Sequence, residues 1–156
     1  LSNTLRYKWF DLNFMFSYQF GGYSYDNWAQ KTEHGGNDLE ANIPSYYKDS
    51  WKKPGDVTKY ELFYEKPSVA MNKVTTTRRM HSTDFIRLKT LTFGFTVPKD
   101  WTRKIGIENV RLYASANNLW TWAAYDYYDP EAVSGGTAIW GTPPLKTVTF
   151  GINVNF

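Results

Sequence analysis

Residues 145–156 read Leu-Lys-Thr-Val-Thr-Phe-Gly-Ile-Asn-Val-Asn-Phe, and from Thr147 onward polar and apolar positions alternate strictly. Every second side chain from Val148 to Phe156 is apolar, whereas Thr, Gly and Asn occupy the positions between them. A period of two predicts a β-strand with one apolar and one polar face. About ten residues is also the length of a tilted strand that crosses a bilayer. This strand alone fits an outer-membrane β-barrel and a soluble β-sandwich equally well.

A second alternating stretch, residues 10–20, favours the barrel. Asp11, Asn13, Ser17 and Gln19 are polar, and between them stand large apolar or aromatic side chains. The latter are Phe10, Leu12, Phe14, Phe16, Tyr18 and Phe20. A face with so many Phe and no Val or Ile suits contact with lipid better than a soluble core. Its aromatic end would lie near the lipid–water interface, where such rings collect.

Composition excludes several classes of function. The chain of 156 residues has no cysteine and no apolar run long enough for a transmembrane helix. Its net charge of +3 is small and no nucleic-acid-binding motif accompanies it, so we expect no nucleic-acid partner. No HExxH, GxSxG or phosphate-loop motif is present, so we expect no enzyme, catalytic residue, cofactor or metal. His34 and His81 stand alone, and we expect both to be solvated.

The alternation along the chain predicts five antiparallel strands in an all-β fold. They lie at about 2–7, 10–20, 84–97, 109–119 and 145–156, and two long segments, 21–83 and 120–144, separate them. A loop of about 60 residues argues against a compact soluble domain, but it is ordinary on the extracellular side of a barrel. Short and long connections alternate. If the C-terminus is periplasmic, both long loops are therefore extracellular.

Arg87 and Lys89 lead to the same orientation. In an unbroken alternation both side chains share a face with Leu91, Phe93 and Phe95. A charge at mid-bilayer on the lipid face costs about 2–4 kcal/mol. We therefore expect the start of this strand to lie outside the hydrocarbon, on the extracellular side.

Five strands cannot close a barrel, which needs at least about eight. An open edge in lipid leaves backbone N–H and C=O groups unpaired. We therefore expect the first and last strands to pair with strands outside this sequence. The chain also begins within strand-like sequence at Leu1, so we interpret it as a piece of a larger protein.

Several blocks, in this order along nearly the whole chain, resemble the SusC/RagA-type TonB-linked (TonB-dependent) outer-membrane transporters. They are Tyr7-Lys-Trp-Phe-Asp-Leu12, Trp51-Lys-Lys-Pro-Gly-Asp56, the strand from Asp84 to Pro98, Arg111 to Leu119 followed by Asp129-Pro130-Glu131, and Pro144 to Phe156. The resemblance implies a 22-stranded transmembrane antiparallel β-barrel with an N-terminal plug, of which this chain is the last five strands. It also implies that Phe156 is the signal read by the barrel-assembly machinery.

The resemblance further implies import of large nutrients across the outer membrane of a Gram-negative bacterium. The substrates would be oligosaccharides and, in some members, peptides. The partners would be the remaining barrel and plug, outer-membrane lipid, a SusD-type surface lipoprotein that caps the barrel, and the TonB complex acting through the absent N-terminal region.

The second long loop carries the candidate substrate-binding residues. They are aromatic: Trp120, Trp122, Tyr125, Tyr127, Tyr128 and Trp140. Flat rings stack on sugar rings, although these could instead pack the loop on itself or on the lid protein. We interpret Asp129, Pro130 and Glu131 as a loop-fixing motif, since Pro130 fixes the backbone and Asp129 can accept from nearby N–H groups.

Two other interpretations stay open. A soluble carbohydrate-binding β-sandwich would bury the apolar strand faces in a core and would be stable without detergent. A barrel of the same architecture could instead serve siderophore or vitamin uptake, although the lid that the resemblance implies speaks against it.

Overall fold

The computed structural model describes residues 1–36, 38, 40–63, 75–139 and 141–156. The chain divides into two compact units. The first comprises residues 1–22, 83–130 and 142–156, and the second comprises residues 23–82 and 131–141. Strands and α-helices of the described residues are numbered in chain order.

The first unit is a five-stranded antiparallel sheet in the order β1-β2-β5-β6-β9. Its strands are β1 (Ser2–Tyr7), β2 (Phe10–Gln19), β5 (Phe85–Thr96), β6 (Asn109–Ala123) and β9 (Thr147–Asn155). A two-residue turn joins β1 to β2, and Lys8 in it adopts a positive φ of 52°. A short helix, α2 (Lys99–Thr102), and a 3-10 turn (Arg103–Ile105) lie between β5 and β6. The predicted all-β antiparallel fold is confirmed.

One face of this sheet is apolar and exposed. The register aligns Leu5, Leu12, Phe93, Ala114 and Phe150 in one row across all five strands, and similar rows lie on either side of it. Phe93 is 47% exposed and Phe150 is 80% exposed. A soluble sandwich would bury these side chains in a core, so the exposed face contradicts that alternative.

The opposite face is polar, and hydrogen bonds cross it from strand to strand. The Thr4 hydroxyl donates to Asn13 at 2.5 Å, and the hydroxyls of Thr92 and Ser115 are 2.9 Å apart. Asn117 donates to the Thr147 hydroxyl at 3.2 Å. Such cross-strand pairs stabilise the sheet and fix its register.

A β-bulge in β5 reverses the expected position of Arg87. Met15 pairs with Thr90, but the next residue of β2, Phe16, pairs with Leu88, so Lys89 is an extra residue. An extra residue shifts the alternation by one. Arg87 therefore lies on the polar face, and the prediction that it shares a face with Leu91, Phe93 and Phe95 is wrong. The orientation drawn from its charge loses its support.

β6 also departs from the prediction, because it continues to Ala123 instead of ending at Leu119. The added residues at the end of β6 pair with β5. Trp120 lies opposite Leu88, and Trp122 lies opposite Ile86. Asn118, with a φ of 53°, accommodates the irregularity there, and Asn tolerates this left-handed conformation better than most residues. The predicted second loop therefore begins after Ala123, not at Trp120.

The second unit carries a small sheet in the order β4-β3-β8-β7. Its strands are β3 (Tyr23–Tyr25), β4 (Met80–Ser82), β7 (Val133–Ser134) and β8 (Thr137–Ala138). Its helices are α1 (Asn27–Thr32) and 3-10 turns at Ser45–Asp49 and Thr77–Arg79. Asp26 caps α1 by accepting from the Trp28 and Ala29 N–H groups at 2.9 and 2.8 Å. The described part of segment 21–83 thus contains short strands and helices.

Candidate functional site

The structure separates the aromatic residues predicted to bind substrate. Trp120 and Trp122 lie on the apolar face of the sheet, in rows with Leu88 and Ile86, and they are 50% and 45% exposed. The same rows continue to Phe16 and Tyr18 on β2. These two tryptophans therefore belong to the apolar face of the sheet and not to a loop.

The three tyrosines lie beyond the end of β6 and contact one another. The Tyr125 ring centroid is 5.1 Å from that of Tyr127 and 5.2 Å from that of Tyr128, the latter pair edge to face. These are favourable aromatic geometries. Tyr127 is 69% exposed, whereas the other two are half-buried. The trio therefore packs on itself and still presents one ring to its surroundings.

Next to this trio, Asp129 forms a buried ion pair with Arg87. The Arg87 Nη2 atom donates to Asp129 Oδ2 at 2.6 Å, and its Nε atom donates to the Thr121 hydroxyl at 3.1 Å. The two charged side chains are only 4% and 8% exposed. Pro130 beside them is buried. The carboxylate of the proposed loop-fixing motif thus binds a guanidinium on the polar face of the sheet.

Arg87 did not figure among the predicted site residues, although the sequence carries a signal for it. Ile86 and Leu88 are apolar at even positions, whereas Leu91, Phe93 and Phe95 are apolar at odd positions. This break in phase marks the bulge at Lys89. The bulge places Arg87 on the polar face of the sheet. Because its guanidinium is shielded from water there, it needs a partner of opposite charge.

Three predicted residues remain. Glu131 is exposed and belongs to the second unit. Trp140 lies outside the described residues. Phe156 is 90% exposed at the end of the chain, next to β9. The structure therefore does not gather the whole predicted set into one site.

A second ion pair lies at the opposite end of the polar face. Arg111 Nη2 donates to Asp11 Oδ2 at 2.6 Å, and its Nε atom donates to Oδ1 at 3.2 Å. The pair passes over Gly94, because a Cβ atom there would meet both side chains. The bidentate geometry favours this pair over an ordinary surface contact. The polar face thus carries an ion pair near each end.

The second unit contains a buried ionic cluster that no sequence motif indicates. Glu33 accepts from Arg78 at 3.1 Å and from Arg79 at 3.3 Å, while Arg78 also donates to Glu61 at 2.9 Å. Arg79 is 1% exposed. The Tyr47 hydroxyl donates to Glu61 at 2.9 Å. These contacts join segments far apart in the sequence and stabilise the described part of the long loop.

Ionisation within this cluster follows from its contacts. Burial alone would raise the pKa of Glu61, but the hydrogen bonds from Arg78 and Tyr47 outweigh it and lower the pKa. Burial and the neighbouring Glu61 carboxylate raise the pKa of the Tyr47 hydroxyl far above its ordinary value. Glu61 is therefore charged and Tyr47 neutral at physiological pH.

His34 is a correction to the expectation of solvated histidines. It is 1% exposed, and its Nδ1 atom accepts from the Gly36 and Asp38 N–H groups at 3.2 and 3.3 Å. His81 is half-buried, and burial lowers its pKa. His34 therefore shapes the backbone of the loop that follows α1.

The described residues hold no group of three or more His, Asp or Glu side chains placed to bind a metal ion. None of the helices among them is both long and apolar enough to cross a membrane.

The chain is similar in sequence to TonB-dependent receptors of Formosa agariphila. It is 29% identical to TonB-dependent receptor P39 over 167 residues and 30% identical to TonB-dependent receptor P3 over 166 residues. Both matches cover 99% of this chain and 16% of the relative. No protein-family model matches the chain.

Solved structures of a peptide importer share the fold. The RagAB peptide importer in its open-open state superimposes with a TM-score of 0.81 at 26% sequence identity, and its closed-closed state gives the same values. These matches cover 96% of this chain and 16% of the other chain. The names of these proteins, receptors and importers, confirm the expectation of a protein that is not an enzyme. These likenesses support the predicted resemblance to SusC/RagA-type TonB-dependent transporters over nearly the whole chain, and the chain spans about a sixth of the length of the relatives it matches.

Proposed function

We propose that the chain forms part of the wall of a TonB-dependent importer in the outer membrane of a Gram-negative bacterium. The observation that carries this proposal is the sheet of the first unit, which has an exposed apolar face and a hydrogen-bonded polar face. The apolar face contacts lipid and the polar face lines the pore. A transmembrane barrel needs this division, because lipid accepts no unpaired polar group.

The dimensions of the apolar face support the proposal. On β2 it extends from Phe10 to Tyr18, with one apolar side chain at every second position. Eight residue steps of about 3.4 Å span about 27 Å along the strand, or about 20 Å across a membrane at a tilt of about 40°. The apolar band of such barrels is about 25 Å tall. The row formed by Tyr18, Ile86 and Trp122 then lies near one interface, where aromatic rings are favoured.

Closure of the barrel requires partners. β1 and β9 are the two edges of the five-stranded sheet. In a 22-stranded barrel they pair with strands of the same transporter, whose plug fills the lumen and whose TonB box receives energy from the TonB complex. The likeness to RagAB and to the named TonB-dependent receptors supports this assembly.

The orientation follows from the connections. Two residues join β1 to β2, and twelve, from Val97 to Glu108, join β5 to β6. The segments after β2 and β6 are much longer. We place the short connections on the periplasmic side and the long ones outside the cell, as in other outer-membrane barrels. The lid, a SusD-type surface lipoprotein, then meets the long segments.

The proposed substrates are large nutrients, with oligosaccharides first. Exposed Tyr127 and its two ring neighbours offer flat apolar surface of the kind that sugar rings contact. Peptides are the second candidate, because the RagAB neighbours are titled a peptide importer. The chain contributes binding surface and pore wall, and it breaks no bonds.

Purification from native membranes tests this proposal. The gene product, tagged at an exposed loop and extracted from the outer membrane, is expected to require detergent. Intact mass spectrometry is expected to find it together with a surface lipoprotein. A species that is soluble and monomeric without detergent would contradict the proposal. A membrane-bound barrel with no lipoprotein under any growth condition would instead favour the siderophore or vitamin receptor.

A further inference from the structure

We propose that Arg87 and Asp129 form a latch that holds residues 124–130 against the pore side of the sheet and thereby positions Tyr127 as a contact for oligosaccharide rings. Arg87 and Asp129 are positioning residues in this proposal, and Tyr127 is the contact. The proposal rests on the proposed function, since the polar face is the pore side only if the sheet is part of a transmembrane barrel.

Arg87 is placed on the polar face by the irregularity of its strand. The bulge at Lys89 turns it to the polar face, opposite Ser17 on β2 and Thr121 on β6. A guanidinium that is 4% exposed is stable only with a partner of opposite charge and further hydrogen bonds. Asp129 supplies the charge and Thr121 supplies a hydroxyl acceptor. Arg87 on β5 is therefore held in place by Thr121 of the neighbouring strand β6, and it in turn binds Asp129.

The chain from Ala124 to Pro130 leaves the sheet and returns to it. The segment leaves the sheet after Ala123, where the Ala124 N–H donates to the Asp84 carbonyl at 2.9 Å. It returns within six residues, because the Asp129 carboxylate reaches Arg87 on the polar face. Residues 124–130 thus form a short arch with one end at the rim of the sheet and the other on its polar side.

The arch carries three tyrosines. Tyr125, Tyr127 and Tyr128 lie between the two attachment points and pack on one another. Tyr127 is the exposed member of the trio. Trp120 and Trp122, by contrast, lie on the apolar face. The arch that carries the three tyrosines thus ends at Asp129 on the polar face, whereas the two tryptophans lie on the apolar face.

Spin labelling of the full transporter in outer-membrane vesicles tests the latch. A nitroxide is attached to Tyr127→Cys and, separately, to Trp120→Cys; this chain has no cysteine of its own. We expect the label at position 127 to be immobilised and accessible to a water-soluble nickel chelate. Asp129→Asn and Arg87→Gln should each abolish the immobilised component, and the double variant should lose nothing more. Asp129→Glu keeps the charge and should restore it.

Asp11→Asn is the matched control, because it removes the ion pair at the other end of the same face. It should leave the spectrum at position 127 unchanged. An immobilised component that survives Asp129→Asn would overturn the latch, as would a label at position 127 that meets oxygen in the lipid instead of the nickel chelate.

The label at Trp120→Cys separates the two proposals. It should be accessible to oxygen dissolved in lipid and not to the nickel chelate. If it is water-accessible, the membrane-barrel proposal fails. If it contacts lipid while the spectrum at position 127 ignores the charge at position 129, the latch alone fails. Retention of the folded form on unheated gels shows that each variant has assembled.

Discussion

Gly151 shows how single residues make room on the polar face. The Tyr113 ring lies over it, and a Cβ atom at this position would occupy the space of the ring. The two residues are directly paired between β6 and β9. A side chain at position 151 must push the ring aside or shift the strand, and overpacking of this kind costs about 1–3 kcal/mol.

We therefore expect Gly151→Val to destabilise the folded barrel. The measurement is the urea concentration at which the folded species disappears from unheated gels. Gly141→Ala is the control, because a Cβ atom there meets no neighbouring atom. An unchanged midpoint for Gly151→Val would show that the ring does not need this space.

We expect the stability of the long segment 21–83 to depend on pH through Glu61. Its pKa is lowered in the folded state by Arg78 and Tyr47, against the effect of burial. A lowered pKa stabilises the loop above the unfolded value of about 4.3, and this stabilisation is lost as the pH falls through the folded value. Hydrogen exchange of residues 77–82, corrected for the intrinsic rate, should therefore accelerate at about pH 3 relative to pH 6. Glu61→Gln should weaken this dependence, and an equally steep dependence in that variant would contradict the assignment.

At the scale of elements, the break in phase within β5 makes a prediction for its whole length. Cysteines at Ile86, Leu88, Leu91 and Phe93 should contact lipid, whereas cysteines at Thr90 and Thr92 should react with water-soluble reagents. The measurement is labelling of single-cysteine variants in outer-membrane vesicles. An unbroken alternation, with positions 86 and 88 reacting like position 90, would contradict the bulge.

The strands themselves could be predicted because period-two alternation follows from the geometry of the extended chain. The bulge at Lys89 escapes a prediction that extends the alternation of residues 91–97 backwards as a regular strand. A prediction that ends β6 at Leu119 overlooks the Trp120-Thr-Trp122 stretch, which continues the alternation of this strand. The cluster of Glu33, Arg78 and their neighbours could not be predicted, because it joins residues about 45 positions apart without any local pattern.

At the scale of the whole molecule, the sheet is open. β1 and β9 expose backbone donors and acceptors at its two edges, and an open edge is not tolerated in lipid. We therefore expect this sheet to be stable in a membrane only within a closed barrel. The curated relatives, about six times longer, are consistent with such an assembly.

We expect the apolar face of the sheet to contact lipid and its polar face to contact water. Phe14→Arg and Asn13→Arg test it most directly, because the two neighbouring residues of β2 lie on opposite faces near the middle of the strand. An Arg on the lipid face at mid-bilayer costs about 2–4 kcal/mol, whereas an Arg on the pore face remains hydrated. The measurement is the amount of folded protein in the outer membrane for each full-length variant. We expect severe loss for Phe14→Arg and near wild-type assembly for Asn13→Arg. Equal assembly of both variants, or loss of Asn13→Arg alone, would contradict the assignment of the two faces.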